Sequence, residues 1–363
     1  MPSPQRYLAL DVFRGMTICF MIIVNTPGNG ATTYSPLLHA EWHGFTPTDL
    51  VFPSFLFAVG NAMSFVMQKW VNMGQGEVVW KVVKRTFLIF FLGFLLYWFP
   101  FTHPFSHTRI MGVLQRIGLC YGIAALLIYY LKPRGALTVS VFFLIAYRLV
   151  LLWFGEPGAE LSMTGNAGSK LDMWLFGPDH LYHGEGIPFD PEGVLSTFPA
   201  VANVVGGYLV GRFIQQYGKS YETLAKLFLA GFVLLGLAYL WNLSFPINKK
   251  LWTSSFVFCT VGLDCVILAA VIYVIDFQNR TKWTRFFEIF GKNPLFIYLL
   301  SEVGAILLYT FSAGDGSLYS WIFKHIFSYA GMYFGSFLFA ICFMLICWLA
   351  GWWLDKRKIY IRV

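Results

Sequence analysis

The chain is 363 residues long, 57% hydrophobic and only 12% charged, with a formal net charge of +8. Soluble domains carry about 25% charged residues, so a soluble globular fold is excluded; apolar runs of about 18 residues or more point to membrane helices. The runs are too long and too apolar on all faces for a β-barrel, and the basic residues sit in short loops between them, which excludes nucleic acid as the partner that explains the charge.

Hydropathy predicts ten spans, near 8–25, 49–70, 86–101, 109–131, 135–153, 194–214, 226–243, 253–275, 286–311 and 329–354, with eleven as an upper count. The expected fold class is an all-α polytopic membrane protein, one transmembrane domain over 1–363. The first span carries Asp11 and Arg14. A cleavable signal peptide would lack such charges, and no small-residue cleavage site follows, so none is expected. Three residues apart, the two share a helix face and can pair.

Lysine and arginine placement sets the orientation. With the N-terminus inside, the inner loops and termini hold Arg6; Lys69, Lys81, Lys84 and Arg85; Lys132 and Arg134; Arg212, Lys219 and Lys226; Arg280, Lys282 and Arg285; and Lys356, Arg357, Lys358 and Arg362. The outer loops hold Lys170, Lys249, Lys250 and Lys324. This bias places both termini in the cytoplasm and the loop 26–48 outside.

That loop ends in His39-Ala-Glu-Trp-His-Gly-Phe-Thr-Pro-Thr-Asp-Leu-Val-Phe-Pro53, a polar cluster between apolar runs. Thr46-Pro47-Thr48-Asp49 has the form of a capping box for the second span, which accounts for Asp49 as structure. His39 and His43 precede it, in a loop that is short, aromatic and clamped between two spans. No local structural rule requires His39. An imidazole is suited to take a proton from an alcohol or amine at neutral pH, and it can accept an acyl group. Asn25, at the outer end of the first span, can donate to a carbonyl oxygen. Gly44 and Pro47 interrupt any helical His39/His43 spacing, so no metal site is expected.

In the fourth span Arg109 and Arg116 are seven apart and share a face, with no acid in the span to neutralise them; they need partners from other helices or an anionic ligand. The long outer loop 154–193 is acidic and glycine-rich, suited either to drawing in a cationic substrate or to serving as a solvated cover. At its end Asp190-Pro191-Glu192-Gly193 reads as the start of the sixth span, with Asp190 as N-cap and Glu192 in the first turn. Gly291-Lys292-Asn293-Pro294 opens a helix from the cytoplasmic side, beside the basic loop 280–285: a phosphate site or simple capping. The six cysteines lie in apolar runs without CxxC spacing and read as small apolar residues.

These residues resemble the heparan-α-glucosaminide N-acetyltransferases and their bacterial relatives among the transmembrane acyltransferases. The matches are Leu10-Asp-Val-Phe-Arg-Gly15, Val24-Asn25, His39-Ala-Glu-Trp-His-Gly44 with Thr46 to Pro53, Arg109 to Arg116, Asp190-Pro-Glu-Gly193, Leu251-Trp-Thr-Ser-Ser255, and Asn293 in a G-x-N setting. They run in the family's order along most of the chain. The resemblance implies a multi-pass protein of a bacterial cytoplasmic membrane, embedded among its lipids, that takes acetyl-CoA as co-substrate from the cytoplasm and acetylates an amino-sugar or glycan acceptor outside. It implies that the family's active histidine corresponds to His39 and its nearby asparagine to Asn25, and that the protein is a homodimer. On this reading Asp49 orients His39, Arg116, Lys292 and Asn293 bind the coenzyme, and Asp190, Glu192 and Trp252 contact the sugar. Two alternatives stay open: a transporter of an amino sugar or its N-acetyl form, and an O-acyltransferase acting on a cell-envelope glycan.

Overall fold

The computed structural model describes residues 7–361; Arg6 and Arg362 of the charge bias lie outside the described residues. Twelve α-helices occupy them: α1 Leu8–Asn25, α2 Pro47–Trp70, α3 Gln75–Trp98, α4 Val113–Phe154, α5 Ala167–Phe176, α6 Val194–Tyr217, α7 Tyr221–Asn242, α8 Ser254–Ile272, α9 Thr284–Lys292, α10 Pro294–Thr310, α11 Leu318–Ile322 and α12 Met332–Lys356. A π-helical turn, Tyr273–Phe277, extends α8. β1 (Ser312–Ala313) and β2 (Gly316–Ser317) form a two-strand antiparallel hairpin that pairs Ser312 with Ser317.

Each of the ten expected spans is helical over most of its length. Seven helices are long and apolar enough to cross a bilayer, or eight if α9 and α10, bent by 84° at their junction, make one span. Two features explain the difference from ten. Residues 113–154 are a single element only in name: Lys132 breaks it with φ 61° and ψ 174°. Forty-two helical residues would reach about 63 Å, twice the hydrocarbon thickness, so the break before Pro133 is where the two expected spans separate. The 24-residue α3 carries Glu77, Lys81, Lys84 and Arg85 in its first half, which lowers its apolarity.

The chain forms two compact units. Unit 1 holds residues 7–39, 46–55 and 270–361; unit 2 holds 40–45 and 56–269. In unit 1, α1 runs against α9, α10 and α12. Backbones touch there: a Cβ on Gly15 would lie 1.8 Å from the Phe287 carbonyl oxygen, and one on Gly291 2.5 Å from that of Asp11. The approach lets the Arg14 guanidinium donate to the Gly291 carbonyl oxygen at 2.6 Å and to Asp11 at 3.0 Å, so the expected Asp11–Arg14 pair is present. In unit 2, α6 packs against α4, and α3 against α4. There Gly60 and Gly207 bring α2 and α6 together without side chains between them, the small-residue packing that replaces hydrophobic drive in lipid.

The loop after α1 has its own order. Two 3-10 turns, Gly30–Thr32 and Ser35–Leu37, shape it, and Ser336 at the start of α12 bonds Gly28 and Asn29. The outer loop 154–193 is likewise not plain coil, because α5 lies within it, capped by the Asn166 side chain.

Candidate active site

In unit 1, Asp49 divides its carboxylate. Oδ2 accepts the Thr46 backbone N–H at 3.0 Å and the Thr46 hydroxyl at 3.1 Å, closing the expected cap at the start of α2. Oδ1 lies 2.7 Å from His39 Nδ1. An ionised carboxylate only accepts, so Nδ1 carries the proton and donates, and Nε2 is the basic nitrogen. The Asp49 side chain is 1% exposed and that of His39 43%, so a buried anion supports a partly exposed imidazole. The loop makes this local: the single Thr46 hydroxyl proton is shared between Asp49 and the Leu38 carbonyl oxygen, 2.7 Å away, and the Thr48 hydroxyl donates to the Pro36 carbonyl oxygen. Capping and histidine support are therefore two uses of one carboxylate.

Asn25 ends α1 with its amide exposed, and its Nδ2 donates to Glu302 Oε1 at 3.2 Å. Glu302 stands within the apolar α10 and has no place in the sequence-based site. An acid in a membrane helix is the signal that identifies it. Asp264, fully buried in α8, carries the same signal.

In unit 2, the rest of the histidine stretch is held in place. His43 Nδ1 meets Asn248 Nδ2 at 3.3 Å, and the Trp42 indole donates to the Leu161 carbonyl oxygen. Burial lowers the His43 pKa.

Arg109 was expected in the fourth span, but α4 begins at Val113 and Arg109 precedes it. There it is held by ion pairs. Arg109 donates to both oxygens of Asp190, at 2.9 and 2.6 Å, and to Glu192 at 2.7 Å, while its guanidinium lies over the rings of Tyr97 and Tyr182. Asp190 is accordingly not the N-cap of α6. Gly193 holds that position, and Asp172 accepts the Val194 N–H at 3.0 Å. Burial pushes the Asp190 carboxyl up, against the pull of Arg109. Burial opposes ionisation of Glu192 as well, but Arg109, Arg116 and Lys249 outweigh it and hold that carboxyl below the ordinary range. Burial pushes Asp172 up to about 7, although the Val194 N–H favours its anion.

Arg116 is fully buried in α4. One nitrogen, Nη2, donates to the Gly193 carbonyl oxygen and to Ser196. The guanidinium lies 4.8 Å from the Trp252 ring centre, and the Trp252 indole donates to Asn203. Trp252 is fully buried, so it supports Arg116 rather than presenting a surface. Arg116 Nε and Nη1 have no hydrogen-bond partner, and neither do the side-chain amides of Gln115 and Asn61. Unpaired buried donors cost about 1–3 kcal/mol each, more when charged, so the two open nitrogens of Arg116 are suited to a polar ligand.

Where α2 ends, α3 begins, α4 breaks and α6 ends, unit 2 has a cleft of about 680 Å³. Lys132, Arg212, Gln68, Gln215, Ser64 and Tyr129 line part of it. Gln215 bonds Ser64 and Gln68, and Arg212 has no acidic partner among the described residues.

Lys292 and Asn293 are committed elsewhere. Lys292 donates to Asp355 at 2.7 Å, where Arg285 also binds. Asn293 stands at the N-cap of α10 but makes no side-chain cap bond; its amide donates to the Ile359 carbonyl oxygen and accepts the Ile361 N–H. The C-terminal segment thus occupies the groups expected to meet a phosphate.

A sequence profile described as heparan-alpha-glucosaminide N-acetyltransferase, catalytic, matches residues 6–240. The heparan-alpha-glucosaminide N-acetyltransferase of Homo sapiens is 29% identical over 362 residues, covering 83% of this chain and 53% of its own length. That of Mus musculus is 28% identical over 364 residues, covering 83% and 54%. The chain spans about half the length of the curated relatives it matches. Residues 6–240 include Asn25, His39, Asp49, Arg109, Arg116, Asp190 and Glu192, whereas Trp252, Lys292, Asn293 and Glu302 lie beyond them.

Proposed function

The chain belongs to the heparan-alpha-glucosaminide N-acetyltransferase family, and from that membership we propose that it is a transmembrane acetyltransferase. It moves an acetyl group from cytoplasmic acetyl-CoA to the amino group of a glucosamine-type sugar on the outer side of a bacterial cytoplasmic membrane. On this reading the lysine and arginine bias, with both termini cytoplasmic, puts His39 on the acceptor's side.

The observation that carries the reading is the His39–Asp49 pair at 2.7 Å. His39 Nε2 takes the proton that the acceptor nitrogen sheds as it attacks the thioester carbonyl, and returns it to the sulfur as the C–S bond breaks. Asp49 holds the tautomer and stabilises the imidazolium between those steps. The second Nδ2–H of Asn25 donates to the carbonyl oxygen as negative charge develops there.

The basic bias of the cytoplasmic face favours the cleft lined by Lys132 and Arg212 for the coenzyme's phosphates, in place of Lys292 and Asn293, whose groups are already bonded. The unpartnered nitrogens of Arg116 suit the polar arm of the coenzyme within the membrane. Asp190 and Glu192 fix Arg109, and through it the outer end of unit 2, where the amino sugar arrives.

The test is acetyl transfer from radiolabelled acetyl-CoA to glucosamine across sealed vesicles. Wild-type protein yields N-acetylglucosamine only with acetyl-CoA on the cytoplasmic side, and inserted His39→Ala yields none. Transfer by His39→Ala at the wild-type rate overturns the assignment, and uptake of free sugar without acetyl-CoA overturns the enzyme reading in favour of transport.

A further inference from the structure

α10 reads Pro-Leu-Phe-Ile-Tyr-Leu-Leu-Ser-Glu-Val-Gly-Ala-Ile-Leu-Leu-Tyr-Thr, and Glu302 is its one ionisable acid or base among aliphatic and aromatic neighbours. Eight residues follow it to the end of the helix, about 12 Å, so the carboxyl group stands within the helix and not at its cap. A carboxyl group there needs a reason, and pairing with a cation is not that reason. Glu302 has no Lys, Arg or His partner among the described residues; its hydrogen-bond donors are the amide of Asn25 and the hydroxyl of Tyr298.

We propose that Glu302 is a positioning residue that fixes the orientation of the Asn25 carboxamide, and so aims the second Asn25 N–H at the developing oxyanion. The inference rests on the acetyltransferase reading given above.

The argument follows from what each group can do. A carboxamide has a donor end and an acceptor end of nearly equal shape, so an asparagine at an exposed helix end turns over with little preference. In the structure Glu302 Oε1 is an acceptor: Asn25 Nδ2 donates to it at 3.2 Å, and the Tyr298 hydroxyl donates to the same carboxyl group. That contact selects one face of the amide, with Nδ2 rather than Oδ1 turned to Glu302. The two hydrogens of one planar nitrogen have a fixed angle between them. Once the first is bound to Glu302, the direction of the second is set, and the exposed side of Asn25 leaves it open to a reactant. Tyr298, one helical turn before Glu302, holds the carboxyl group in turn. A donor oriented before the reaction costs no reorganisation during it, which is what makes such donors effective.

The experiment is a double-mutant cycle on the full chain in vesicles, with kcat and KM measured separately. Glu302→Gln keeps the shape but lets the amide turn over. It is expected to lower kcat about tenfold or more, with KM for acetyl-CoA and for glucosamine within twofold of wild type. Glu302→Asp keeps a carboxyl group and is expected to retain more of kcat than Glu302→Gln. In an Asn25→Ala background, Glu302→Gln is expected to change the residual kcat by less than twofold, because the residue it acts through is gone. The inference is overturned if Glu302→Gln keeps kcat within twofold of wild type, if Glu302→Asp falls below it, or if the Glu302→Gln loss is the same with and without Asn25. A residue that served only to stabilise α10 would lower the amount of folded protein and leave kcat per folded molecule unchanged, which also overturns it. Wild-type protein that transfers no acetyl group overturns the acetyltransferase reading itself, and that outcome is distinct because it needs no variant.

Discussion

Asp49→Asn separates the two uses of one carboxylate. Asparagine is close to aspartate in shape and can still accept the Thr46 N–H, so the cap on α2 loses only a few tenths of a kcal/mol. The bond to His39 is another matter. It is 2.7 Å long, its carboxylate is 1% exposed, and a hydrogen bond to a charged group contributes about 1.5–3 kcal/mol. That contribution is largest when the imidazole has taken a proton, which is the state reached during transfer. Losing about 2–3 kcal/mol there corresponds to a fall in kcat of about 30- to 150-fold, at about 1.4 kcal/mol per factor of ten. The amide also permits the wrong tautomer of His39, which adds to the loss. The assay is acetyl transfer to glucosamine at saturating acetyl-CoA, normalised to folded protein, together with thermal unfolding of the same sample. The expected result is a large loss of kcat with a melting temperature within a few degrees of wild type. If Asp49→Asn keeps kcat within threefold while His39→Ala abolishes transfer, the carboxylate is a helix cap only, and the support of His39 by charge is refuted.

Asp172 has its pKa raised from 3.8 to about 7 by burial. For an acid whose folded pKa is raised, the folded state holds the proton longer, so stability is fully present below pH about 4 and is lost as pH rises through about 7. Three units amount to about 4 kcal/mol. Asp172→Asn keeps an acceptor for the Val194 N–H and is expected to flatten this slope, so the melting temperature of wild type relative to the variant should fall between about pH 4 and 7 and then level off. Gly60→Ala would place a methyl 1.9 Å from the Val204 carbonyl oxygen and should destabilise by about 1–3 kcal/mol or more, whereas Gly236→Ala meets nothing within 4 Å and should gain about 0.5–1 kcal/mol; equal melting temperatures would refute the close approach of α2 and α6. Arg212→Gln should raise KM for acetyl-CoA about tenfold with kcat unchanged, the sign of a group that binds donor and transition state alike; an unchanged KM removes the cleft as the phosphate site.

The sequence alone determined the elements, for a physical reason. A backbone in lipid must satisfy its own hydrogen bonds, so a long apolar run has no option but helix, and each of the ten expected spans is helical over most of its length. The Lys132–Pro133 break and the Thr46–Asp49 cap were legible too, because their partners lie within a few residues. His39 stood out because nothing local required it. What the sequence did not contain is partnership across distance. Asp190 looked like an N-cap because a carboxylate before a helix usually is one; in the fold Arg109, 81 residues away, takes it, and Asp172 caps α6 instead. Lys292 and Asn293 had the pattern of an anion site, and the C-terminal segment fills it. Glu302 was visible as a lone acid in an apolar run, but its meaning depends on Asn25, 277 residues earlier. Apolar burial needs only the kind of side chain, and any suitable neighbour will do. A hydrogen bond needs a specific atom within about 3 Å, and only the tertiary structure decides which atom that is.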